Sequence, residues 1–505
     1  MRRSYRLSNR ALAIALLIAG AAAYFQTWVP AAVASQADIT DEQLEAASGG
    51  RTVAIGSPNG ERRILRIPLE VYVARVLAGE GEPNAPDAAR QALAVAIRTY
   101  TLVQMRRHRR EGFDLCDTVH CQVLRAANES SRRAALTTAR RVLTVNGAPA
   151  EVFYSASCGG RSEGAAQVWP GATFPYMQVI RDDDVHEEDV PWTLDMTLDE
   201  VRQALSRAGF GGGPLRNIEI DGYNGSGRVE RLRVSGMRPD EVAGPAFREA
   251  LGTTRLRSTA FTLERQGNVV RFTGRGYGHG VGMCVIGAGR RARRGESLEA
   301  ILAQYYPNLQ LNDLASASVK PREVVAAPLE TANRSGVLVS VPRDSKVSAR
   351  DLERVAVAAR ESLSRVLGTA VSPVTVELHE SLDHFRLEVR RPWWVSAAVT
   401  GTTIDLAPAA LLAQREGIDA TVRTAMAELL MSAELVNRPA WVRVGGARYF
   451  SSAVRPAAPA SEVSCPADAE LTLALSAVAQ RDAEARAVQC FARAMAKVGD
   501  WRLVK

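Results

Sequence analysis

Lysine is nearly missing from this chain. Of its 63 basic residues only Lys320, Lys346, Lys497 and Lys505 are lysines, so the net charge of +8 is a surplus of guanidinium groups. A guanidinium fork suits bidentate recognition of carboxylate and phosphate. The surplus therefore fits an anionic partner such as cell-wall polymer, and equally a plain compositional bias. Aromatic residues are also scarce, at 6%, and the arginines are scattered rather than gathered into a stripe with them. That argues against nucleic acid as a partner. Beyond residue 28 there is no apolar run long enough to cross a membrane. Apolar residues nevertheless make up 46% of the chain, which excludes a disordered polymer. At 505 residues there is room for two or three domains with cores of their own.

The N-terminus carries an address. Arg2, Arg3, Arg6 and Arg10 precede the uncharged run ALAIALLIAGAAAYFQTW, residues 11–28. A basic head followed by an apolar run marks an export signal, and Ala32-Val33-Ala34 offers a small-residue cleavage site. An uncleaved anchor is the alternative reading of residues 1–34, because the run approaches the minimum span of roughly 17 residues. Either way the rest is expected outside the cytoplasm, in the periplasm or cell wall, with membrane contact only through this segment. Disulfides are then permitted. The six cysteines are Cys116, Cys121, Cys158, Cys284, Cys465 and Cys490.

Residues 35–51 read as a polar linker. ILRIPLEVYVARVLAGE, residues 64–80, reads as a short strand and then a helix from Pro68. Asp87 caps a second, Ala-rich helix that carries Arg98. A basic helix follows over 129–141, then strands at 141–145 and 150–155. A Gly-rich and acidic loop runs over 158–189, and 197–208 is a capped helix. The stretches 218–221, 229–235, 261–265 and 269–273 alternate like strands of an antiparallel sheet. Next comes GRGYGHGVGMCVIGA, residues 274–288, with six glycines and His279, followed by a short helix that stops near Pro307. The Pro/Ala stretch 321–328, within a linker over 319–330, divides the chain. Beyond it the pattern restarts: a helix at 349–366, strands at 374–379, 385–390 and 403–406, a helix at 417–435, and two helices over 467–496 joined near Arg481. The fold class expected is α+β in both parts, 52–318 and 331–505, with antiparallel sheet and mixed helices in the first and a C-terminal helical hairpin in the second.

Several residues have chemistry to offer. Glu80 and Glu82, in AGEGEPNAP, stand where Gly and Pro end a helix. A carboxyl shielded there has the makings of a general acid, because burial raises its pKa toward neutrality; the plain alternative is a solvated glutamate. FYSASCGGRSE, residues 153–163, ends a strand in hydroxyls and a glycine pair, which suits sugar binding or simply a turn. His108, Cys116, His120 and Cys121 are grouped closely enough for structural zinc, while a Cys116–Cys121 disulfide competes. Cys465 and Cys490 flank one helix and form a second disulfide candidate.

In order, IPLEVYVARVLAGE (67–80), ALAVAIRTY (92–100), CDTVHCQV (116–123), FYSASCGGRSE (153–163), WPGATFPYMQVIRD (169–182) and GRGYGHGVGMCVIGA (274–288) resemble the SpoIID/LytB family, named for a sporulation cell-wall protein and an amidase enhancer. The resemblance covers about 250 residues. It implies a peptidoglycan-active domain whose enzymatic members are lytic transglycosylases. These cleave the MurNAc–GlcNAc bond of peptide-stripped glycan and leave a 1,6-anhydro ring. The family's acid maps to Glu80, with Glu82 as the alternative because the usual Glu-x-Pro is one residue longer here. Arg98 and Tyr100 belong to the family's RTY segment and His279 to its Gly-His-Gly. With Tyr154, Ser155, Ser157 and Glu163 they are expected to contact substrate, Arg98 alternatively orienting Glu80. Cys284-Val285-Ile286 departs from the family's usual Ser-Gln-Tyr. The scheme requires no metal or other cofactor. The partners implied are glycan strands and, by the second half of the family name, an N-acetylmuramoyl-L-alanine amidase.

Residues 424–450, TAMAELLMSAELVNRPAWVRVGGARYF, resemble the peptidase-MA group of gluzincin metallopeptidases. The positions of the zinc ligands hold Ala427, Met431 and Val444, and only Glu428 of the motif survives. A zinc peptidase needs three protein ligands, so this part is expected to be inactive as a peptidase.

Overall fold

Pro68 has no amide hydrogen to lose, and it opens the helix Leu69–Glu80 in a computed structural model of the chain. The structure describes residues 38–505 apart from 57–63, 106, 109–111, 170–173, 183–190, 315–328, 344, 372, 381, 383–384, 386–388, 390, 393 and 460–462. The expected export segment 1–34 and the Pro/Ala stretch 321–328 lie outside the described residues. Among the described residues no helix is long and apolar enough to cross a membrane. The architecture is mixed α+β with several small, mostly antiparallel sheets.

The segment expected as a linker contains a helix, Asp41–Ala47. It forms because Leu44 has somewhere to go. Its side chain is fully buried, and Asp41 pairs with Arg132 at 2.8 Å on the helix Glu129–Thr137. Next to it Thr52–Gly56 pairs antiparallel with Leu65–Pro68 and parallel with Leu115–Cys116.

The helices Leu69–Glu80 and Asp87–Gln104 bury Val73, Val76, Ala92, Val95 and Ala96 completely. Between them lies a charged pair. Arg98 Nε donates to Glu70 Oε1 at 2.8 Å and Arg98 Nη2 to Glu70 Oε2 at 2.6 Å. The same guanidinium donates to the carbonyls of Arg141 and Ala135, at 3.0 and 3.2 Å. Both side chains are sealed from water. Arg98 is therefore spent inside the fold. The expectation that it contacts substrate is corrected: a bidentate carboxylate partner in the core satisfies its fork before any ligand arrives.

Residues 192–274 build two three-stranded antiparallel sheets around one core. Gly211–Tyr223, Val229–Arg238 and Glu241–Ala243 form one; Trp192–Thr197, Val269–Gly274 and Phe261–Gln266 form the other. The sheets bury Val234, Leu232, Phe247 and Phe272. The helix Leu198–Arg207 starts from a reciprocal cap between Thr197 and Glu200.

Beyond residue 328 a five-stranded sheet runs in the order Leu329–Arg334, Val337–Pro342, Val374–Leu378, Thr403–Leu406, Ala397–Thr400, with both edge strands antiparallel. Helices Ala349–Leu367, Ile418–Met431 and Ala440–Ser451 close its core. Phe385, expected in a strand, is helical and buried. The expected hairpin near Arg481 is instead one helix, Ala477–Val498. Its residues are good helix formers without Gly or Pro, so nothing breaks it there. The break falls earlier, after the short helix Asp468–Thr472. That helix reaches back to residues 192–274: Ala469 joins their core and its N–H donates to Gly209 O at 2.9 Å. The Cys465–Cys490 disulfide is formed and ties this return to the long helix.

Removing one partner of a buried pair leaves a charge stranded. Arg98→Ala is expected to lower unfolding free energy by about 3–5 kcal/mol, read as a lower urea midpoint with unchanged slope.

Candidate functional site

Gly81 is extended, with φ −77° and ψ 154°, and it terminates the Leu69–Glu80 helix. The last helical side chain, Glu80, is thereby turned toward the segment after Cys121. The N–H of Val123 donates to Glu80 Oε1 at 2.6 Å, and the Tyr154 hydroxyl donates to the same carboxylate. Tyr154 is held in turn. Gln122 Nε2 donates to its oxygen at 2.8 Å, and Gln122 Oε1 accepts from Tyr72 and Thr101, both at 3.0 Å. An amide has one donor end and one acceptor end, so this chain runs one way and fixes the Tyr154 proton on Glu80. Burial raises the Glu80 pKa, and it outweighs the two donors, which lower it. Gln122 and Tyr72 were not singled out by sequence reasoning. The only local signal was that Gln122 directly follows Cys121.

Glu82, two residues on, is paired with Arg293. Its Oε1 faces a guanidinium, whereas Glu80 Oε1 faces the Val123 N–H.

The glycine-rich turn packs on the strand that carries Tyr154. Tyr154–Ser155 pairs parallel with Met283–Cys284, and Ser157 exchanges backbone hydrogen bonds with Tyr277 at 3.0 and 2.9 Å. The glycines are required by crowding. Gly282 has φ +73°, and a Cβ there would collide with the Phe153 carbonyl oxygen; one on Gly280, φ +80°, would collide with the Arg228 guanidinium. The expected bracing helix is Leu298–Tyr305. It delivers the Tyr306 hydroxyl to Phe153 O at 2.7 Å and the Tyr305 hydroxyl to Asp182 at 2.6 Å.

His279 is half-buried between aromatic rings, 5.0 Å from Trp169 and 6.3 Å from Phe153 by centroid. Its Nδ1 accepts the Val281 N–H at 3.0 Å. Burial, with Arg248 and Arg228 nearby, outweighs the Tyr154 backbone, which favours the charged ring, and pushes its pKa down to about 3. His279 is thus a neutral ring that completes an aromatic wall with Trp169 and Phe153.

The remaining expected contacts divide. The Ser155 hydroxyl is buried and makes no hydrogen bond; it packs against Gly278. Ser157 Oγ accepts the Gly159 N–H at 3.3 Å. Tyr100 is buried, its hydroxyl bonded to Arg107 at 2.9 Å, and it packs edge-on to Tyr154. It supports the site from behind. Glu163 is a correction. It is buried, accepting from Gly164 N at 2.8 Å, Asn224 Nδ2 at 2.7 Å and Ser226 Oγ at 2.9 Å. The 224–226 turn takes its Oε2 and the Gly164 N–H its Oε1.

The expected Cys116–Cys121 disulfide is not formed in this structure, where Cys158 and Cys284 are likewise unbridged; what sets the first pair apart is its histidines. Each of its sulfurs faces imidazole nitrogen. Cys116 Sγ and Cys121 Sγ lie 3.4 Å from His120 Nδ1, Cys121 Sγ lies 3.4 Å from His108 Nε2, and the two histidines are 3.3 Å apart. All four donor atoms fall within 4.8 Å of one another. Zn–N bonds of about 2.0 Å and Zn–S bonds of about 2.3 Å give a tetrahedron with edges of this size. Two thiols and two imidazoles are a zinc-type donor set. The Cys116–Cys121 loop leads directly into Gln122 and Val123, so a metal held there would steady both groups that address Glu80.

In the second half Ala427 and Met431 are buried and Val444 is half-buried, none with a metal-binding group. Glu428 has its pKa raised by burial and lines a cavity of about 410 Å³ with Arg443, Met431 and Val436.

Residues 58–145 match the SpoIID family model, described as Stage II sporulation protein, and 186–282 match a domain of unknown function, DUF8618. The chain is 25% identical to Stage II sporulation protein D of Bacillus subtilis over 320 residues, 57% of this chain and 89% of that one. It is 28% identical to an uncharacterized protein of Brachyspira hyodysenteriae over 249 residues, 48% of this chain and 67% of that one. The Amidase enhancer of Bacillus subtilis is 26% identical over 274 residues, 44% of this chain but only 38% of its own length.

The full chain is expected to carry about one equivalent of zinc by metal analysis, a four-donor site taking one ion, and to lose it in the Cys116→Ser, Cys121→Ser double variant. A metal-free protein with those two cysteines cross-linked would refute the assignment.

Proposed function

We propose that the chain is an exported lytic transglycosylase that cleaves peptide-stripped peptidoglycan glycan at the MurNAc–GlcNAc bond, with Glu80 as its single acid and base. The observation that carries this reading is the environment of Glu80, a carboxyl with its pKa raised by burial and its orientation fixed by Val123 and Tyr154. Such a group keeps its proton to higher pH than a solvated carboxyl does and can deliver it to a glycosidic oxygen. As the leaving group departs, positive charge builds at MurNAc C1. The carboxylate thus formed accepts the proton of the C6 hydroxyl, whose oxygen attacks C1 and closes the 1,6-anhydro ring. Hydrolysis of the usual kind needs a second carboxylate about 5–9.5 Å away. Glu82 and Glu163 are committed to Arg293 and to the 224–226 turn, which supports a scheme without one. The wall of Trp169, Phe153 and His279 supports a sugar-stacking face.

The similarity to Stage II sporulation protein D supports a cell-wall-related role. Export is supported by the N-terminal run and by the Cys465–Cys490 disulfide. A second reading, a non-catalytic amidase-enhancing factor, is favoured by the likeness to the Amidase enhancer and by Cys284-Val285-Ile286 beside the turn. In either case we read residues 331–505 as a peptidase-like scaffold kept for binding.

Purified chain acting on amidase-treated glycan strands is expected to release 1,6-anhydro products detectable by mass spectrometry. Glu80→Gln should cut their rate by 100-fold or more, within the range of about 10²–10⁴ for general acid catalysis. Co-sedimentation with glycan without product would favour the second reading.

The pH dependence has a definite sign. A carboxyl with a raised pKa favours folding below its unfolded-state pKa and loses that contribution as pH rises through the folded value. Cleavage should therefore fall on the alkaline side as Glu80 loses its proton. The melting temperature of Glu80→Gln relative to wild type should rise over the same interval.

A further inference from the structure

Two cysteines have no part in the Glu80 site or in the histidine–cysteine cluster. Cys158 follows the Tyr154–Ser157 wall, and Cys284 ends the glycine-rich turn and caps the helix Val285–Arg293. Both side chains are buried. Their sulfurs and a carboxylate oxygen of Asp182 lie within 4.8 Å of one another. Cys284 Sγ accepts the N–H of Cys158 itself at 3.3 Å, and that of Gly287 at 3.3 Å. The Cys284 sulfur thus lies against the backbone of Cys158. The two sulfurs, within 4.8 Å of one another, close to about 2.05 Å in a disulfide, and χ1 rotation is the movement open to them.

A metal is the rival reading, and Asp182 speaks against it. Its Oδ2 already accepts the Tyr305 hydroxyl at 2.6 Å, and its Oδ1 faces Arg291 Nε at 3.6 Å. A cation there would sit beside a guanidinium, at a cost that grows in a buried setting. The group also has no imidazole, unlike the cluster at His108 and His120. Meanwhile a Cys465–Cys490 bridge is formed in the structure, and the export proposed above would place the chain where disulfides persist.

We propose that Cys158 and Cys284 form a disulfide in the mature protein, covalently joining the glycine-rich turn to the segment that carries Tyr154. One cysteine thiolate attacks a sulfur of an external disulfide, that of a thiol–disulfide oxidoreductase or of oxidised glutathione. The second cysteine then displaces that carrier from the mixed disulfide. The two cysteines lose two protons and two electrons, and the carrier leaves as two thiols. Because both sulfurs end up buried, the exchange takes place while the chain folds. Cys158 gives up its 3.7 Å hydrogen bond to Asp182, which keeps Tyr305 and Arg291. The bridge holds the turn carrying His279 against Tyr154, and through Tyr154 against Glu80.

The test uses the full chain produced in an oxidising compartment, alkylated in denaturant without reductant and digested. A cross-linked peptide pair containing Cys158 and Cys284 is expected, while Cys116 and Cys121 take up label once a chelator is present. The Cys158→Ser, Cys284→Ser double variant should melt roughly 5 °C lower, because the bridge closes a long loop. Alkylation of both cysteines without reductant overturns the proposal. So does a metal ion that is lost in that double variant but retained in the Cys116→Ser, Cys121→Ser variant.

Discussion

The site depends on a charged pair it does not contain. Arg98 and Glu70 meet in the core, and the guanidinium also gathers the carbonyls of Ala135 and Arg141. Three stretches of chain are thereby locked at one point. Glu70 lies in the first turn of the helix that ends in Glu80. Ten residues of helix span about 15 Å, so fixing one end fixes where the other presents its carboxyl. A buried pair of this kind adds little net stability but does not tolerate loss of either partner.

From Glu80 outward the arrangement is a set of nested supports. Val123 and Tyr154 address the carboxyl; Gln122 orients Tyr154; Tyr72 and Thr101 orient Gln122. Donors lower the pKa of a carboxyl and burial raises it, and here burial prevails. Tyr154 faces two ways. Its hydroxyl holds Glu80, while its backbone meets His279. The glycine turn and the acid therefore communicate through one residue.

The glycines 278, 280 and 282 serve approach rather than motion. Each stands where a neighbour leaves no space for a side chain: Ser155, Arg228 and the Phe153 carbonyl. This close backbone packing lets the Met283–Cys284 strand lie beside Tyr154–Ser155 and brings the Cys284 sulfur onto the Cys158 backbone.

The residue order by itself determined the periodic and punctuated features. The helices at 69–80 and 87–104, the antiparallel stretches at 229–238 and 261–274 and the placing of Glu80 at a helix end were legible because each shows in a local pattern, and the Cys465–Cys490 bridge, 25 residues apart, because its cysteines flank one helix. The uses of polar side chains were not. Arg98 and Glu163 carry motif positions that suggest ligand contact, yet their partners lie 28 and 61 residues away. Cys116 and Cys121 read first as a disulfide or free thiols and only second as metal ligands, until the fold brought His120 to Cys116 and His108 to Cys121. His279 read as a substrate contact, and burial beside Trp169 and Phe153, with Arg248 and Arg228 nearby, keeps it neutral. A side chain's protonation and its choice of hydrogen-bond partner depend on what lies within a few ångströms, and for these residues that neighbourhood is assembled only by tertiary packing.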